Sequence, residues 1–387
     1  MKKRNCLTLF LAFFLLAGVL SAAENVRLFV PEKIYAVPGV EMNVYFNNIV
    51  TVINPANYVF DVDCKKGRND LKRWRFTPGE KDVGTWKWKI RVINESGTVA
   101  EAESELVVVP GDAGKGRSIS MLIVGASQTG AGYYPKRVAE QMKKPGNPEF
   151  TLVGTRSNGE GKHEGYGGWR WESFLTRWGF SGSSANDGMH PDRPVGFNSP
   201  FLFEKNGKGV FDLNEYFRRN NQGKIPDAVS FQLGLNDFFR ATDEKIADVT
   251  KISLENMEKL IGEFRKLNPA PEIFVFQHIP GANQDAFGKN YACDQTSWQY
   301  RKNLDYYNRA LLQKSKELKF NIVPVYINID TENNFPVVNE PVNQDNPAKI
   351  QRQNNGVHPS KAGYNQMGDT LYCRLKAWLA ASGSTAK

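Results

Sequence analysis

Histidine and cysteine are scarce in this chain, with four of each among 387 residues. The cysteines form no CxxC pair or other zinc-like spacing, so nothing suggests a metal as organiser of the fold. There is no block of Lys and Arg. The net charge of +9 is spread thinly, which argues for solubility and against nucleic acid as a partner. Internal repeats and low-complexity tracts are absent as well. The N-terminal apolar run Leu7 to Leu20 is shorter than the roughly 20 residues that span a bilayer. It follows a basic head, Lys2, Lys3 and Arg4, and precedes Ser21-Ala22-Ala23, so residues 1–23 read as a secretory signal. Cleavage after Ala23 lowers the charge to +6. No Cys follows at the position lipidation requires. The expectation is an exported protein, secreted or periplasmic, with no membrane insertion after cleavage. In such a compartment Cys293 and Cys373 form a candidate bridge, and three reduced thiols, Cys64 included, are the equal alternative.

What is present divides in two. Hydrophobic residues make up 41% and charged residues 24% of the chain, ordinary for a globular protein and enough for two cores. Residues 24–110 carry short β-rich runs punctuated by Gly, Pro, Asn and Asp. Trp86, Trp88 and Ile90 alternate with Lys87, Lys89 and Arg91, which predicts a strand with one apolar face. This pattern predicts a small all-β sandwich of immunoglobulin-like type, whose aromatics are core rather than a sugar-binding surface. Residues 111–117 are the expected linker. They nearly fit a phosphate-binding loop, but they precede a strand instead of following one and so cannot offer helix-start amides to a phosphate. From 118 to 387 strands and helices alternate, as in a parallel sheet covered on both faces. Leu254, Met257, Leu260, Ile261, Phe264 and Leu267 mark one helical stripe as core. Residues 180–199, rich in Gly, Ser, Asn and Pro, predict a long loop beside the site.

Ligands of open parallel sheets gather at the carboxyl ends of the strands, and four such positions carry chemistry. Ser127 ends the run Met121-Leu-Ile-Val-Gly-Ala-Ser; Gly167, Gly168 and Trp169 follow the second strand; Asn236 and Asp237 follow the third; His358 sits in Asn354-Asn-Gly-Val-His-Pro-Ser before the last helix. A serine hydroxyl that attacks a carbonyl needs a base, and His358 can serve. The negative oxygen of the tetrahedral intermediate needs fixed donors, which the amides of Ser127 and Gly168 and the side chain of Asn236 can supply. Taken singly, each residue is as readily a cap or a turn. Together they form an ordered set.

These four blocks resemble those of the SGNH or GDSL hydrolases, over about residues 118–381. The resemblance implies a three-layer flavodoxin-like domain. It also implies Ser127 as nucleophile, Gly168 and Asn236 as oxyanion donors and His358 as base, with no metal or organic cofactor. The sequence departs from the family at two places. Ala126 replaces the Asp of Gly-Asp-Ser, and Asn355 replaces the Asp three residues before the His. Asn355 is expected to orient His358 as a neutral acceptor, unless a backbone carbonyl does so or Asp345 or Asp369 completes a triad. Asn355→Asp is then expected to raise the imidazole pKa. A GxSxG elbow is absent, which disfavours a classical α/β-hydrolase.

Export, the sandwich and the cluster Trp169, Trp171 and Trp178 point to an acetylated oligosaccharide or polysaccharide, with Trp169 and Asp237 as candidate contacts; Trp171 and Trp178 are equally compatible with core. A carbohydrate-binding pseudoenzyme and an esterase for lipid or thioester substrates are the alternatives. Because all four chemical positions lie past the linker, residues 118–387 are expected to fold alone.

Overall fold

The computed structural model describes residues 26–179, 198–284, 286–287 and 295–383. The segment read as a secretory signal, most of the loop expected at 180–199 and Cys293 lie outside the described residues.

The N-terminal region is a sandwich of a four-stranded and a three-stranded sheet. Strands Gly84–Asn94 and Gly97–Val108 form its long antiparallel hairpin, and Lys33–Ala36 joins the same sheet in parallel register at Gly97–Val108. The alternation read from sequence is realised: Trp88, Ile90 and Val92 are fully buried, while Lys87 and Arg91 are exposed. Trp74 from the facing sheet meets Trp88 edge-on, ring centroids 6.2 Å apart, so these tryptophans are core.

The second region holds a parallel sheet whose central strands run in the order Glu149–Val153, Ser118–Gly125, Ala228–Gln232, Glu272–Phe276, Asn321–Val323. This is the doubly wound order in which the chain reverses direction beside its first strand, opening a crevice at that strand's carboxyl end. Gly161–Gly165 adds to the same end of Ser118–Gly125, pairing Gly125 with Gly165. Neighbouring residues of each strand point to opposite faces. Met121, Ile123, Phe274 and Phe276 therefore join one apolar cluster and Leu122, Val124, Ile273 and Val275 another. Helices Tyr133–Met142 and Lys361–Gly383 cover the first face, and Ile246–Arg265 and Ser297–Leu318 the second. In Ile246–Arg265 the buried stripe includes Met257, Leu260, Ile261 and Phe264.

The sandwich is not an independent appendage. Phe29, Ile34, Val37, Met42 and Val44 share one continuous apolar cluster with Tyr326, Met367, Leu371 and Cys373 of the second region. Phe29 stacks on Tyr326 at 5.2 Å, Asn43 N–H donates to Asn328 Oδ1 at 2.9 Å, and Asn48 Nδ2 donates to the carbonyls of Tyr326 and Ile329, both at 2.8 Å. Residues 111–117 are pinned too, since buried Lys376 donates to Ala113 O and Arg117 to Ser382 Oγ at 2.8 Å. These contacts weigh against the expectation that 118–387 is self-sufficient, because the outer face of the Lys361–Gly383 helix is apolar and the sandwich covers it. Cys373 is a free thiol, fully buried in this cluster. Among the described residues its sulfur has no disulfide partner; Cys293, the partner considered from sequence, lies outside them.

Candidate active site

Four chain segments converge at the carboxyl ends of the central strands. Strand Ser118–Gly125 is followed by Ala126, and Ser127 opens the short helix Ser127–Gly130, leaving its own N–H outside the helical ladder. His358 Nε2 lies 2.7 Å from Ser127 Oγ, a distance at which the serine hydroxyl donates to the imidazole. Among the described residues no carboxylate pairs with that imidazole. Burial alone pushes the His358 pKa down, which keeps the ring neutral and able to accept a proton.

Gly168 adopts φ +74°, and a Cβ built there would meet no atom within 4 Å. Its backbone therefore faces open space in a conformation that favours glycine. Asn236 follows Gly234, whose φ of +120° and contact with the Tyr307 hydroxyl leave no room for a side chain. Asn236 Nδ2 donates to Trp169 O at 2.8 Å, tying the third segment to the second. An amide nitrogen carries two hydrogens, so the second remains for a ligand. Asn236→Ala is expected to lower kcat for a small acetyl ester by about a hundredfold or more, as loss of one oxyanion donor does; an unchanged kcat would reassign Asn236 to this tie alone.

Three expectations about individual residues need correction. Trp169 is 2% exposed, stacked on Tyr166 at 4.2 Å and covered by Arg177, so it offers no face to a sugar; Trp171 is wholly buried as well. The Asp237 carboxyl points inward, with Oδ2 buried and unbonded among the described residues. Burial pushes its pKa up to about 7, and it cannot bind substrate from there. Asn355 does not face the imidazole, because its Oδ1 accepts from the backbone N–H groups of Val357 (3.0 Å) and His358 (2.8 Å). It shapes the loop as an Asx turn. Neither alternative acid replaces it. Asp369 is held by Arg137 at 2.8 Å and by Gln141, and Asp345 is exposed in a turn.

The sequence reading missed the residues that hold these loops. Gln128, 1% exposed, donates from Nε2 to Val357 O at 2.9 Å and accepts at Oε1 from Gln232 Nε2 at 2.7 Å. It clamps the residue before His358 to the residue after Ser127. Gln353 and Gln284 exchange two amide bonds of 2.8 Å with each other's backbone, fixing the histidine loop from the other side. Glu164 is fully buried, and burial pushes its carboxyl up although four donors serve it: Thr155 N and Oγ1, Tyr166 OH and Tyr216 OH, at 2.6 to 2.9 Å. It anchors the segment leading to Gly168. The one signal in sequence was Gln232, which closes the otherwise mainly apolar, buried strand Ala228–Gln232, since a buried polar group must have partners.

Such an arrangement can transfer a proton from serine to histidine and hold a developing oxyanion. No curated protein matches the chain. Among solved structures it is similar to a family 3 carbohydrate esterase from Clostridium thermocellum (16% identity, TM-score 0.40, covering 69% of this chain and 99% of that one). It is also similar to a carbohydrate acetylesterase family member from Sinorhizobium meliloti (13%, 0.39, 68% and 99%). A gut microbial diltiazem-metabolizing enzyme is matched at 13% identity and TM-score 0.33, over 54% of this chain and only 37% of that protein's length. Residues 113–366 match the GDSL-like Lipase/Acylhydrolase family, and with two thirds of its length inside that match, strand order and site included, the chain belongs to this family of ester hydrolases.

Proposed function

We propose that the protein is an exported esterase that removes O-acetyl groups from a carbohydrate through an acyl-enzyme intermediate, with Ser127 and His358 acting as a dyad. The observation that carries this reading is the 2.7 Å contact between His358 Nε2 and Ser127 Oγ. Ser127 Oγ attacks the ester carbonyl as its proton passes to His358. The N–H groups of Ser127 and Gly168 and the free hydrogen of Asn236 Nδ2 receive the oxyanion. The sugar oxygen leaves with the proton from His358, and water then repeats the sequence to release acetate. A polar substrate is favoured by the mouth of the site. Arg170 and Gly168, in the segment that supplies the second group, are exposed, and among the described residues no large exposed apolar side chain belongs to the loops carrying the four groups. Preference for acetyl over octanoyl 4-nitrophenyl esters, with acetate released from an acetylated glycan, tests the reading; octanoyl preference would support a lipid substrate.

The pH profile tests the dyad. With the imidazole largely buried and, among the described residues, no carboxylate beside it, the acidic limb of kcat/KM is expected below the ordinary histidine pKa of about 6.5. Asn355→Asp should repeat both backbone bonds through one carboxylate oxygen, so the limb should move by less than about half a unit. An upward move of about a unit or more would show that a carboxylate at 355 reaches the ring.

A further inference from the structure

A cavity of about 270 Å³ lies between the sandwich and the start of the Ser297–Leu318 helix, lined among others by Asn47, Ile53, Asn54, Asn283, Trp298 and Arg301. It abuts the histidine loop. The lining residue Ala282 donates its N–H to Gly356 O at 3.1 Å, two residues before His358. Arg301 donates to Asn47 O at 2.9 Å and Val52 O at 3.3 Å. Those carbonyls occupy two of its five N–H groups. Among the described residues no carboxylate pairs with it, and burial depresses its pKa. A half-buried guanidinium without a counter-charge beside a cavity is unfavourable unless an anion comes to it. Ser297 and Trp298, the first residues of the same 22-residue helix, also line the cavity, and the positive end of the helix dipole adds to the preference. Ile53, 76% exposed, and Trp298 supply apolar surface, while three asparagine amides supply hydrogen bonds. The volume suits about one sugar ring, at the low end for ligand sites.

We propose that this cavity is a subsite for an acidic sugar, its carboxylate received by Arg301, next to the sugar that bears the ester. The inference rests on the carbohydrate reading above and assigns the sandwich a share of substrate binding. The test uses the full-length protein and calorimetric titration with digalacturonate, cellobiose and acetate. Digalacturonate should bind at least about tenfold tighter than cellobiose, and acetate at the same concentration should not bind measurably. Asn283→Asp keeps the bond from Thr331 Oγ1 and Asn54→Asp keeps the bond from Ala56 N–H, yet each places a negative charge on the rim. Both should weaken digalacturonate about tenfold and leave 4-nitrophenyl acetate hydrolysis unchanged. Equal binding of digalacturonate and cellobiose overturns the subsite, and so does acetate binding as well as digalacturonate, which would mark a simple anion site. Hydrolysis of neutral and acidic acetylated oligosaccharides separates the two proposals. Equal rates on both sink the subsite alone, whereas 4-nitrophenyl acetate turnover with neither sugar hydrolysed sinks the carbohydrate reading, and the titration then decides the subsite.

Discussion

Alanine in place of Ser127 is expected to lower ester hydrolysis by about four orders of magnitude or more, because nucleophile and base act as a unit and removing one removes the covalent route. The thermal midpoint should hardly change. The side chain is half-buried and its Oγ bonds only His358 among the described residues, so the stability lost is about one ordinary hydrogen bond, roughly 1 kcal/mol. Wild-type circular dichroism and midpoint with no turnover would place the defect in the chemistry. A variant keeping more than a tenth of the rate would remove Ser127 from the mechanism. If the wild-type protein itself fails to hydrolyse 4-nitrophenyl acetate, the missing carboxylate at His358 has left a binding protein on a hydrolase fold.

Removal of the sandwich is expected to have the largest effect on folding. Residues 118–387 expressed alone should be insoluble or lack a cooperative transition, and the full chain should unfold as one unit. Tyr326, Met367, Leu371 and Cys373 are at most 1% exposed in a cluster shared with Phe29, Ile34, Val37 and Met42. Exposing a buried side chain of this size costs about 1.5–3 kcal/mol. A handful of them matches the whole stability of a typical domain, about 5–15 kcal/mol. A soluble fragment that melts cooperatively near the full-length midpoint would show that the shared cluster contributes little. Arg301 and Asn48, which bond across the same boundary, offer milder probes of the coupling.

The sequence by itself determined the local patterns. The two-residue alternation at Trp86 to Arg91 specified a strand with one buried face, and the stripe from Leu254 to Leu267 specified a helix, because side-chain direction follows backbone period. The order Ser127, Gly168, Asn236, His358 was readable because each residue lies within a few positions of a strand end or a helix start, and a doubly wound sheet brings those ends to one edge. Tertiary structure alone decided which groups face the cleft. Trp169 and Asp237 adjoin site residues in sequence, but neighbouring side chains point in different directions, and theirs enter the core. Asn355 kept the position of a triad acid and lost its role, since its oxygen satisfies two backbone amides close at hand. Gln128 and Gln353 gained roles that no spacing announces, because their partners are separated by 229 and 69 residues. The union of sandwich and hydrolase domain was hidden for the same reason: an amphipathic helix shows that one face must be covered, and only the folded chain shows by what.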